Sequence, residues 1–194
     1  ANGKVAASDI TSTELGYLDG VTSSIQTQLD SKISAGLVSV TENSNTGYRL
    51  ASANASNHGD IGDGGLDLSY QPSASTTTGS TGDYSTAMGS TTTASGDYST
   101  AMGYYTTASG ERSTAMGYFT KATDDYSTAM GYGTKASGEN STAMGTQTIA
   151  SAYSSTALGA ATTASGERST AMGYNTTASD YSSTVIGQHN SSGS

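Results

Sequence analysis

The sequence has no cysteine or tryptophan, a single proline and few basic residues. Without cysteine the chain can form neither disulfide bonds nor thiolate sites, so its stability must come from topology and packing. The 7 Lys and Arg face 16 Asp and Glu, which gives a formal net charge of -9. Such a charge disfavours binding to nucleic-acid phosphates or to anionic membrane surfaces. We therefore expect no nucleic-acid partner and, because no apolar run approaches membrane-spanning length, no membrane insertion.

Large aliphatic residues are scarce as well. The hydrophobic fraction is 33%, much of it alanine, and Leu, Ile and Val are concentrated before residue 70. A single chain could bury little apolar surface in its later half. Association with other chains is therefore expected. The sequence also starts without an initiator Met, as expected for a cleaved product or a piece of a longer chain.

The first segment, residues 1–33, is predicted to be a short helical, coiled-coil-like fibre element. Either Thr22 or Ser23 can cap the helix, and Gly20 breaks the helical turn before it. Apolar residues recur at intervals of three and four, and they are Leu18, Val21, Ile25, Leu29 and Ile33. A helix of this length cannot bury such a stripe alone, so we favour an oligomeric bundle over packing within one chain.

Residues 34–72 are predicted to form an adapter with turns and a short strand. Glycines 59, 62, 64 and 65 mark turns, and Leu66 and Leu68 alternate with polar residues as in a strand. The carboxylates of Asp60, Asp63 and Asp67 lie at glycine-rich turns, as in calcium-binding β-rolls. That array needs tandem nonapeptides and only one is present, so simple turns are favoured over a cation site.

Residues 73–194 contain a tandem repeat of fourteen residues, such as STAMGYYTTASGER at 99–112. Seven full copies start at Ser85, and a degenerate eighth follows from Ser183. Self-similarity at a fixed short period is the signature of a solenoid. The repeats therefore predict a mainly β fold, a stack of two-stranded coils.

The first five positions of the repeat, Ser-Thr-Ala-Met-Gly, are almost invariant among the copies. Successive strand residues face opposite sides, so both faces of this strand must be constrained. A narrow coil admits only small groups, and we expect Ala101, Gly103, Thr106 and Ala108 to line its interior. The fourth position then points outward as an apolar ladder with steps of about 4.8 Å. We predict that it is the interface between chains, formed by Met88, Met102, Met116, Met130, Met144, Leu158, Met172 and Ile186.

The second strand is constrained on one face only. Its ninth position varies between Thr107, Lys121, Lys135 and Ile149, which indicates that this face meets solvent. Glycines at the fifth and twelfth positions, as at Gly103 and Gly110, are expected to make the corners because positive φ is easily adopted there.

Two further columns of side chains are candidate binding surfaces. Carboxylates recur at position thirteen, where we expect a solvated corner partly neutralised by Arg112 and Arg168, and they are Asp83, Asp97, Glu111, Asp125, Glu139 and Glu167. Aromatic residues follow the first strand and can either fill corners, which we favour, or contact a receptor. These candidate receptor contacts are Tyr104, Tyr105, Tyr118, Phe119, Tyr132 and Tyr174.

No constellation in the sequence predicts catalysis. The two histidines, His58 and His189, are far apart and have no triad, zinc or phosphate-loop spacing around them. A row of equivalent carboxylates is unlike the uniquely desolvated acid that catalysis needs. We expect no enzyme activity, no metal and no cofactor.

The repeats at residues 85–187 resemble the head repeats of YadA-like trimeric autotransporter adhesins. There an SVAIG-type strand followed by a TxASG-type strand builds a left-handed parallel β-roll, with three rolls side by side. The resemblance implies a parallel homotrimer here, with Met replacing the usual Ile. Residues 10–33 resemble an element of bacteriophage tail fibres. Residues 48–89 resemble the adapter-plus-roll part of fibres that end in an endosialidase-type intramolecular chaperone.

Together these observations predict an extracellular structural and adhesive fibre segment, a rigid shaft of a phage or virus tail fibre. Its expected partners are adjoining fibre or virion proteins and, at the host surface, a glycan or protein. The alternative is the head of a bacterial cell-surface trimeric adhesin. Ice binding by a threonine ladder is disfavoured, because Lys121, Lys135 and Ile149 interrupt the outward face.

Overall fold

The structure is a computed structural model that describes residue 27 and residues 36–192. The predicted helical element at 1–33 therefore lies outside the described residues, apart from Thr27. The strands in chain order are β1 (Leu37–Glu42), β2 (Asn45–Leu50), β3 (Leu66–Tyr70), β4 (Gly79–Ser80), β5 (Thr86–Ser90), β6 (Thr93–Ala94), β7 (Thr100–Tyr104), β8 (Thr107–Ala108), β9 (Thr114–Tyr118), β10 (Lys121–Ala122), β11 (Thr128–Tyr132), β12 (Lys135–Ala136), β13 (Thr142–Thr146), β14 (Ile149–Ala150), β15 (Thr156–Ala160), β16 (Thr163–Ala164), β17 (Thr170–Tyr174), β18 (Thr177–Ala178) and β19 (Thr184–Gln188).

The strands form two sheets that run along the stack. The first has eleven strands in the order β1-β2-β3-β5-β7-β9-β11-β13-β15-β17-β19, and the second has eight, from β4 to β18 in steps of two. Every pair within the repeats is parallel and joins residues fourteen apart, so that Met102 lies opposite Met116 and Ala108 opposite Ala122. This confirms a mainly β parallel solenoid with a fourteen-residue coil. Its left-handed sense stays a prediction.

The adapter begins with a hairpin that the sequence did not reveal. Strands β1 and β2 pair antiparallel through a two-residue turn, in which Asn43 and Ser44 have φ of 48° and 73°. Positive φ at both turn residues matches the right-handed twist of the flanking strands. A 3₁₀ helix at Ala55–Asn57 follows. Strand β3, predicted from its alternating leucines, then pairs with both β2 and β5, so the sheet continues from the adapter into the repeats.

The interior of the repeats is made of small side chains. Ala101, Thr106 and Ala108 are 0% exposed, as predicted, and Ser99 joins them at 1%. Gly103 was wrongly predicted to line the interior, because it is exposed. With φ of 123°, its missing side chain would project along the stack, where a Cβ would lie 2.0 Å from the carbonyl oxygen of Gly117 in the next coil.

The corners of each coil are mostly not made by glycine. Residues at positions seven and fourteen have φ between 52° and 63°, and nearly all of them carry side chains. The left-handed region costs such residues about 1–2 kcal/mol. Hydrogen bonds between coils hold them there, for example from Phe119 N to Tyr104 O at 2.9 Å and from Arg112 N to Asp97 O at 2.8 Å. The prediction that Gly110 uses positive φ is wrong, since it is buried and lacks positive φ.

Candidate functional site

An apolar ladder runs along the outer face of the eleven-stranded sheet. Met88, Met144 and Met172 are 36–38% exposed and Ile186 is 61% exposed, while Met102, Met116, Met130 and Leu158 are half-buried. The side chains at position four therefore point outward, as predicted. Nothing in a single chain covers this column among the described residues, and its role as an interface between chains stays a prediction.

The ladder is longer than the repeats alone suggest. Leu68 in β3 lies opposite Met88, and it is half-buried. One strand further, Leu37 pairs with Leu50 and is 50% exposed. The adapter therefore places Leu37, Leu50 and Leu68 on the outer side and extends the apolar face of the repeats. Sequence reasoning missed these residues because they lie outside the fourteen-residue pattern.

Aromatic side chains form an ordered cluster beside this ladder. At position six, Tyr104, Tyr118 and Tyr132 stack on one another with ring centroids 5.0 and 5.3 Å apart. At position seven, Tyr105 and Phe119 stack at 5.0 Å, and each meets the tyrosine of its own coil edge-on at 4.6 and 4.7 Å. The structure thus brings together five of the six predicted aromatic contacts.

These rings remain accessible despite their packing. Their exposed fractions run from 40% at Tyr104 to 51% at Tyr132. Partial desolvation under the neighbouring rings, together with Coulombic interaction with Tyr105 and Tyr118, raises the pKa of the Tyr104 hydroxyl above its ordinary value. Tyr174, the sixth predicted contact, lies three coils beyond Tyr132 and meets His189 edge-on at 5.3 Å. The cluster is therefore an accessible surface made by three consecutive coils.

The carboxylates of position thirteen lie at the opposite corner, where Asp97, Glu139 and Glu167 are exposed and the other three are half-buried, so all of them reach solvent as predicted. Aspartates there have a structural role that the sequence did not show. The Oδ1 atoms of Asp83, Asp97 and Asp125 each accept a backbone N–H from the preceding coil, at 2.9, 3.0 and 2.8 Å. A short carboxylate at this position therefore links neighbouring coils.

The two arginines at this corner behave differently. Arg112 pairs with Glu111 and donates to the Tyr126 hydroxyl at 2.8 Å, with its guanidinium between the rings of Tyr98 and Tyr126. Arg168 instead contacts the Tyr181 hydroxyl and ring. Partial neutralisation of the carboxylate column is thus seen at Arg112. At Arg168 it is not seen among the residues that the structure describes.

The three aspartates considered for calcium make separate contacts. Asp60 accepts a hydrogen bond from the Asn43 amide, and Asp63 Oδ1 accepts one from Thr46 N at 3.3 Å. Asp67 is buried at 1% exposure and points into the chain. In residues 36–192, no group of three or more His, Asp or Glu side chains is placed to hold a metal ion. The three carboxylates therefore face different partners.

Asp67 is instead the centre of a buried polar network. Its Oδ2 lies 2.7 Å from His58 Nδ1 and 3.6 Å from Arg49 Nε, and its Oδ1 accepts Ser69 N at 3.0 Å. The Arg49 guanidinium also forms a two-pronged pair with Glu42 at 2.9 and 3.2 Å. These buried charges occupy the part of the interior that alanine fills in the repeats.

The pKa values of both carboxyls follow from this geometry. Burial alone would raise the pKa of Asp67, but hydrogen bonds from His58 and Ser69 and the charge of His58 outweigh it and lower the pKa. For Glu42, partial burial is likewise outweighed by the Arg49 hydrogen bond and charge and by the Ile61 N–H, so its pKa is also lowered. Both groups are therefore stabilised as carboxylates. We assign the network a structural role at the start of the stack.

A small pocket opens in the adapter, with a volume of about 170 Å³. Its lining comes from residues 50–72 and includes His58, Ser69 and Gln71. The Gln71 amide in its wall donates to Ser69 Oγ and to the Thr92 carbonyl, both at 3.0 Å.

In the described part of the chain, no helix is long and apolar enough to cross a membrane.

Comparison with known families agrees with this architecture. The family model described as the YadA head domain repeat (2 copies) matches residues 80–106, 108–134, 136–162 and 164–190, more than half of the chain. These segments cover the coils that carry the apolar ladder of the repeats and the aromatic cluster. No curated protein matches the chain. From its coil length, its parallel pairing and this match, we conclude that the chain belongs to the YadA head domain repeat family.

Proposed function

We propose that this chain is a rigid structural and adhesive fibre segment that works as a parallel homotrimer. The observation that carries the proposal is the continuous apolar ladder on the outer face of the eleven-stranded sheet. YadA head repeats are typical of the extracellular, adhesive domains of trimeric autotransporter adhesins, and such domains typically form trimers. The family therefore supports both the assembly and the adhesive role.

The composition of the ladder supports burial by sister chains. Contiguous exposed apolar surface on a soluble protein marks an interaction site, and a flat strand face of this kind promotes aggregation when left open. Identical ladders related by a rotation axis can cover one another along their whole length, because every coil adds the same step. Methionine fills the irregular spaces between such surfaces well. In a trimer, each step of the stack contributes one apolar side chain from each chain.

Within this class, we propose the shaft of a phage or virus tail fibre. The support comes from the resemblance of residues 10–33 and 48–89 to tail-fibre elements. Partners would then be adjoining fibre or virion proteins at its ends, and a glycan or protein of the host surface. The alternative is the head of a bacterial surface adhesin, which the family match favours. Antibodies against residues 36–192, used for electron microscopy, should label virus particles in the first case and cell surfaces in the second.

Non-enzymatic action is part of the same proposal. Both oxygens of the buried carboxylate Asp67 already have partners in the chain, Arg49 and His58 at one and Ser69 at the other. These contacts indicate that the carboxylate stabilises the fold. The outer column of the second sheet carries lysine and Ile149 between its threonines, which disfavours ice binding. Hydrolysis of a glycan by the purified chain would overturn the proposal of non-enzymatic action. Thermal hysteresis activity would show that the chain binds ice.

The trimer is tested by placing charge in the ladder. We expect the double variant Met116→Asp/Met130→Asp to be monomeric, because the two residues are adjacent in β9 and β11 and a buried carboxylate pair is strongly unfavourable. Light scattering coupled to size-exclusion chromatography measures the mass. The matched control is Thr163→Asp/Thr177→Asp, on adjacent strands of the second sheet, which should stay trimeric. A monomeric wild-type chain, or a trimeric ladder variant, would contradict the proposal.

A further inference from the structure

The stack of aromatic rings at position seven has a gap. Tyr105 and Phe119 occupy this position in two consecutive coils, the next coil has Gly133, and the one after it has Gln147. Gly133 has φ of 63°, close to the 52° and 54° of Tyr105 and Phe119, so the backbone path is the same. A Cβ placed on Gly133 would meet a single neighbour among the described residues within 4 Å, Gln147 Cγ at 3.6 Å. The space that a ring would fill is open.

The walls of this gap are set by the neighbouring coils. Phe119, which is 45% exposed, stacks on Tyr105 on one side and presents its other face toward the coil of Gly133. Tyr132 stands beside the gap at position six of the same coil, where the two preceding tyrosines each meet a ring edge-on at 4.6 and 4.7 Å. The exposed Gln147 side chain lies on the far side, with its Cγ 3.6 Å from the place of a Gly133 Cβ. One ring can enter and repeat the contacts that Phe119 makes with Tyr105 and Tyr118.

The same coils place two lysines side by side, away from the carboxylates Asp124, Asp125 and Glu139 at the later positions of the repeat. Lys121 and Lys135 lie two residues after Phe119 and Gly133 and are direct neighbours across β10 and β12. Both are exposed, and neither forms an ion pair with any of the described residues. They are the two lysines of residues 36–192. Two like charges side by side are unfavourable until an anion neutralises them.

We propose that this notch, lined by Phe119, Tyr132, Gly133 and Gln147 and flanked by Lys121 and Lys135, binds an acidic pyranose such as a hexuronic acid unit of a glycan. The apolar C–H face of the sugar lies on Phe119. Its hydroxyls bond to the Gln147 amide and the Tyr132 hydroxyl, and the lysines neutralise its carboxylate. This inference rests on the proposed adhesive function and identifies the chemical class of its ligand.

The chemistry of the notch favours a sugar over an aromatic or proline side chain. One wall is an aromatic face, whereas the opposite wall is the exposed Gln147 side chain, whose amide offers both donors and an acceptor. A pyranose presents one apolar face and a rim of hydroxyls, and it satisfies both walls at once. The lysine ammonium groups, on flexible stems, suit a carboxylate at the rim of the ring. A single site is weak, and three copies in one fibre increase the affinity through avidity.

The experiment measures binding of methyl β-D-glucuronide to the full chain by saturation-transfer NMR and calorimetry, with neutral methyl β-D-glucoside for comparison. We expect saturable binding of the acidic probe with a dissociation constant on the order of millimolar. Filling the notch with Gly133→Phe should weaken binding by about tenfold or more. This variant should fold normally, because Phe119 has the same backbone conformation one coil earlier. The control Ala161→Phe adds a ring at position seven two coils away and should leave binding unchanged.

The lysines are tested separately with Lys121→Gln/Lys135→Gln. We expect this variant to lose its preference for the acidic probe, an effect of about twofold to fivefold that disappears in high salt. Equal binding by wild type and Gly133→Phe, or no saturable binding by wild type, would overturn the proposal. Light scattering on the same samples reports the trimer, so a fibre that assembles without binding refutes the sugar site alone. A monomer refutes the proposed assembly.

Discussion

The adapter and the repeats share one continuous sheet but fill its interior in opposite ways. Asp67 in β3 lies opposite Ala87 in β5, so a buried charge and a methyl group occupy equivalent places on neighbouring strands. The charge is held by Arg49, His58 and Ser69 through directional contacts. The methyl group needs only a neighbour of the right size. Small side chains allow the same coil to be repeated many times. The directional contacts of Asp67, in contrast, can form at one position of the stack, which is its start.

Hydrogen bonding shows the same contrast. The buried hydroxyls of Ser99, Ser113 and Thr106 have no hydrogen-bond partner among the described residues, and neither have those of the threonines equivalent to Thr106 in six other coils. In the adapter, Ser69 Oγ donates to Asp67 and accepts from Gln71. Steric fit among small side chains therefore fills the interior of the repeats, whose coils are joined by backbone hydrogen bonds, whereas a network of polar side chains holds the interior of the adapter. Variants in the two regions should respond differently.

The largest difference is expected between Asp67→Ala and Ser99→Ala, both at sites that are 1% exposed. Removing the Asp67 carboxylate leaves Arg49 and His58 buried without it and should lower the free energy of unfolding by about 3–5 kcal/mol. Removing the Ser99 hydroxyl takes away a buried polar atom without a partner, so the stability should be unchanged or slightly raised. Urea denaturation followed by circular dichroism measures both. Equal losses would show that the two interiors are held in the same way.

A smaller effect is expected where only the shape of a coil is changed. Gly117→Ala places a Cβ at φ of 125° and 2.1 Å from the carbonyl oxygen of Gly131, so it should destabilise the stack by about 1–3 kcal/mol. Gly133→Ala adds the same atom at a corner of the same repeats where there is open space. Its loss should stay within the about 1–2 kcal/mol that the left-handed region costs a residue with a side chain, and below the loss of Gly117→Ala, because it lacks the clash with a backbone oxygen. The midpoints of urea denaturation compare the two, and a large loss for Gly133→Ala would mean that glycine is needed at corners generally.

The smallest effect is expected from acid, because protonated carboxyls keep their place in the network. The pKa values of Asp67 and Glu42 lie below their ordinary values of 3.8 and 4.5. Their contribution to stability is therefore complete above those ordinary values and is lost as the pH falls through the lowered values. Amide hydrogen exchange in β2 and β3 should increase in this range before exchange in β9 and β11. The isosteric variant Glu42→Gln should show a shallower pH dependence, and exchange that starts in the repeats would contradict the contrast.

The repeats were predictable from sequence because each buried position recurs seven times. Comparison of the copies predicts that Ala101 faces inward and Met102 outward, although it places Gly103 on the wrong side. The hairpin of the adapter occurs once, and its turn places two non-glycine residues at positive φ. The left-handed corners, such as Phe119, depend on hydrogen bonds that exist only between stacked coils.

Asp67 illustrates a different limit of sequence reasoning. The alternation of Leu66, Asp67 and Leu68 would place leucine inside by hydrophobicity, yet Asp67 is buried and the leucines lie on the outer side. The reason is the arrival of Arg49 and His58 from elsewhere in the chain, which no local pattern reports. At the candidate sugar site, the residues were visible but the gap was not. The gap exists because Gly133 follows Tyr105 and Phe119 at position seven, and these residues become neighbours when the coils stack.

Each residue of a coil pairs with the residue fourteen places later, and this constant pairing affects how the number of coils can change in evolution. Deleting any block of fourteen residues between Ser85 and Ser182 rejoins a coil to another coil in the same register. Duplicating a block does the same, and neither event disturbs the adapter. Gain or loss of whole coils can therefore lengthen or shorten the protein in steps that keep the register of both sheets. The length of the fibre can therefore change during evolution without loss of the stacking register.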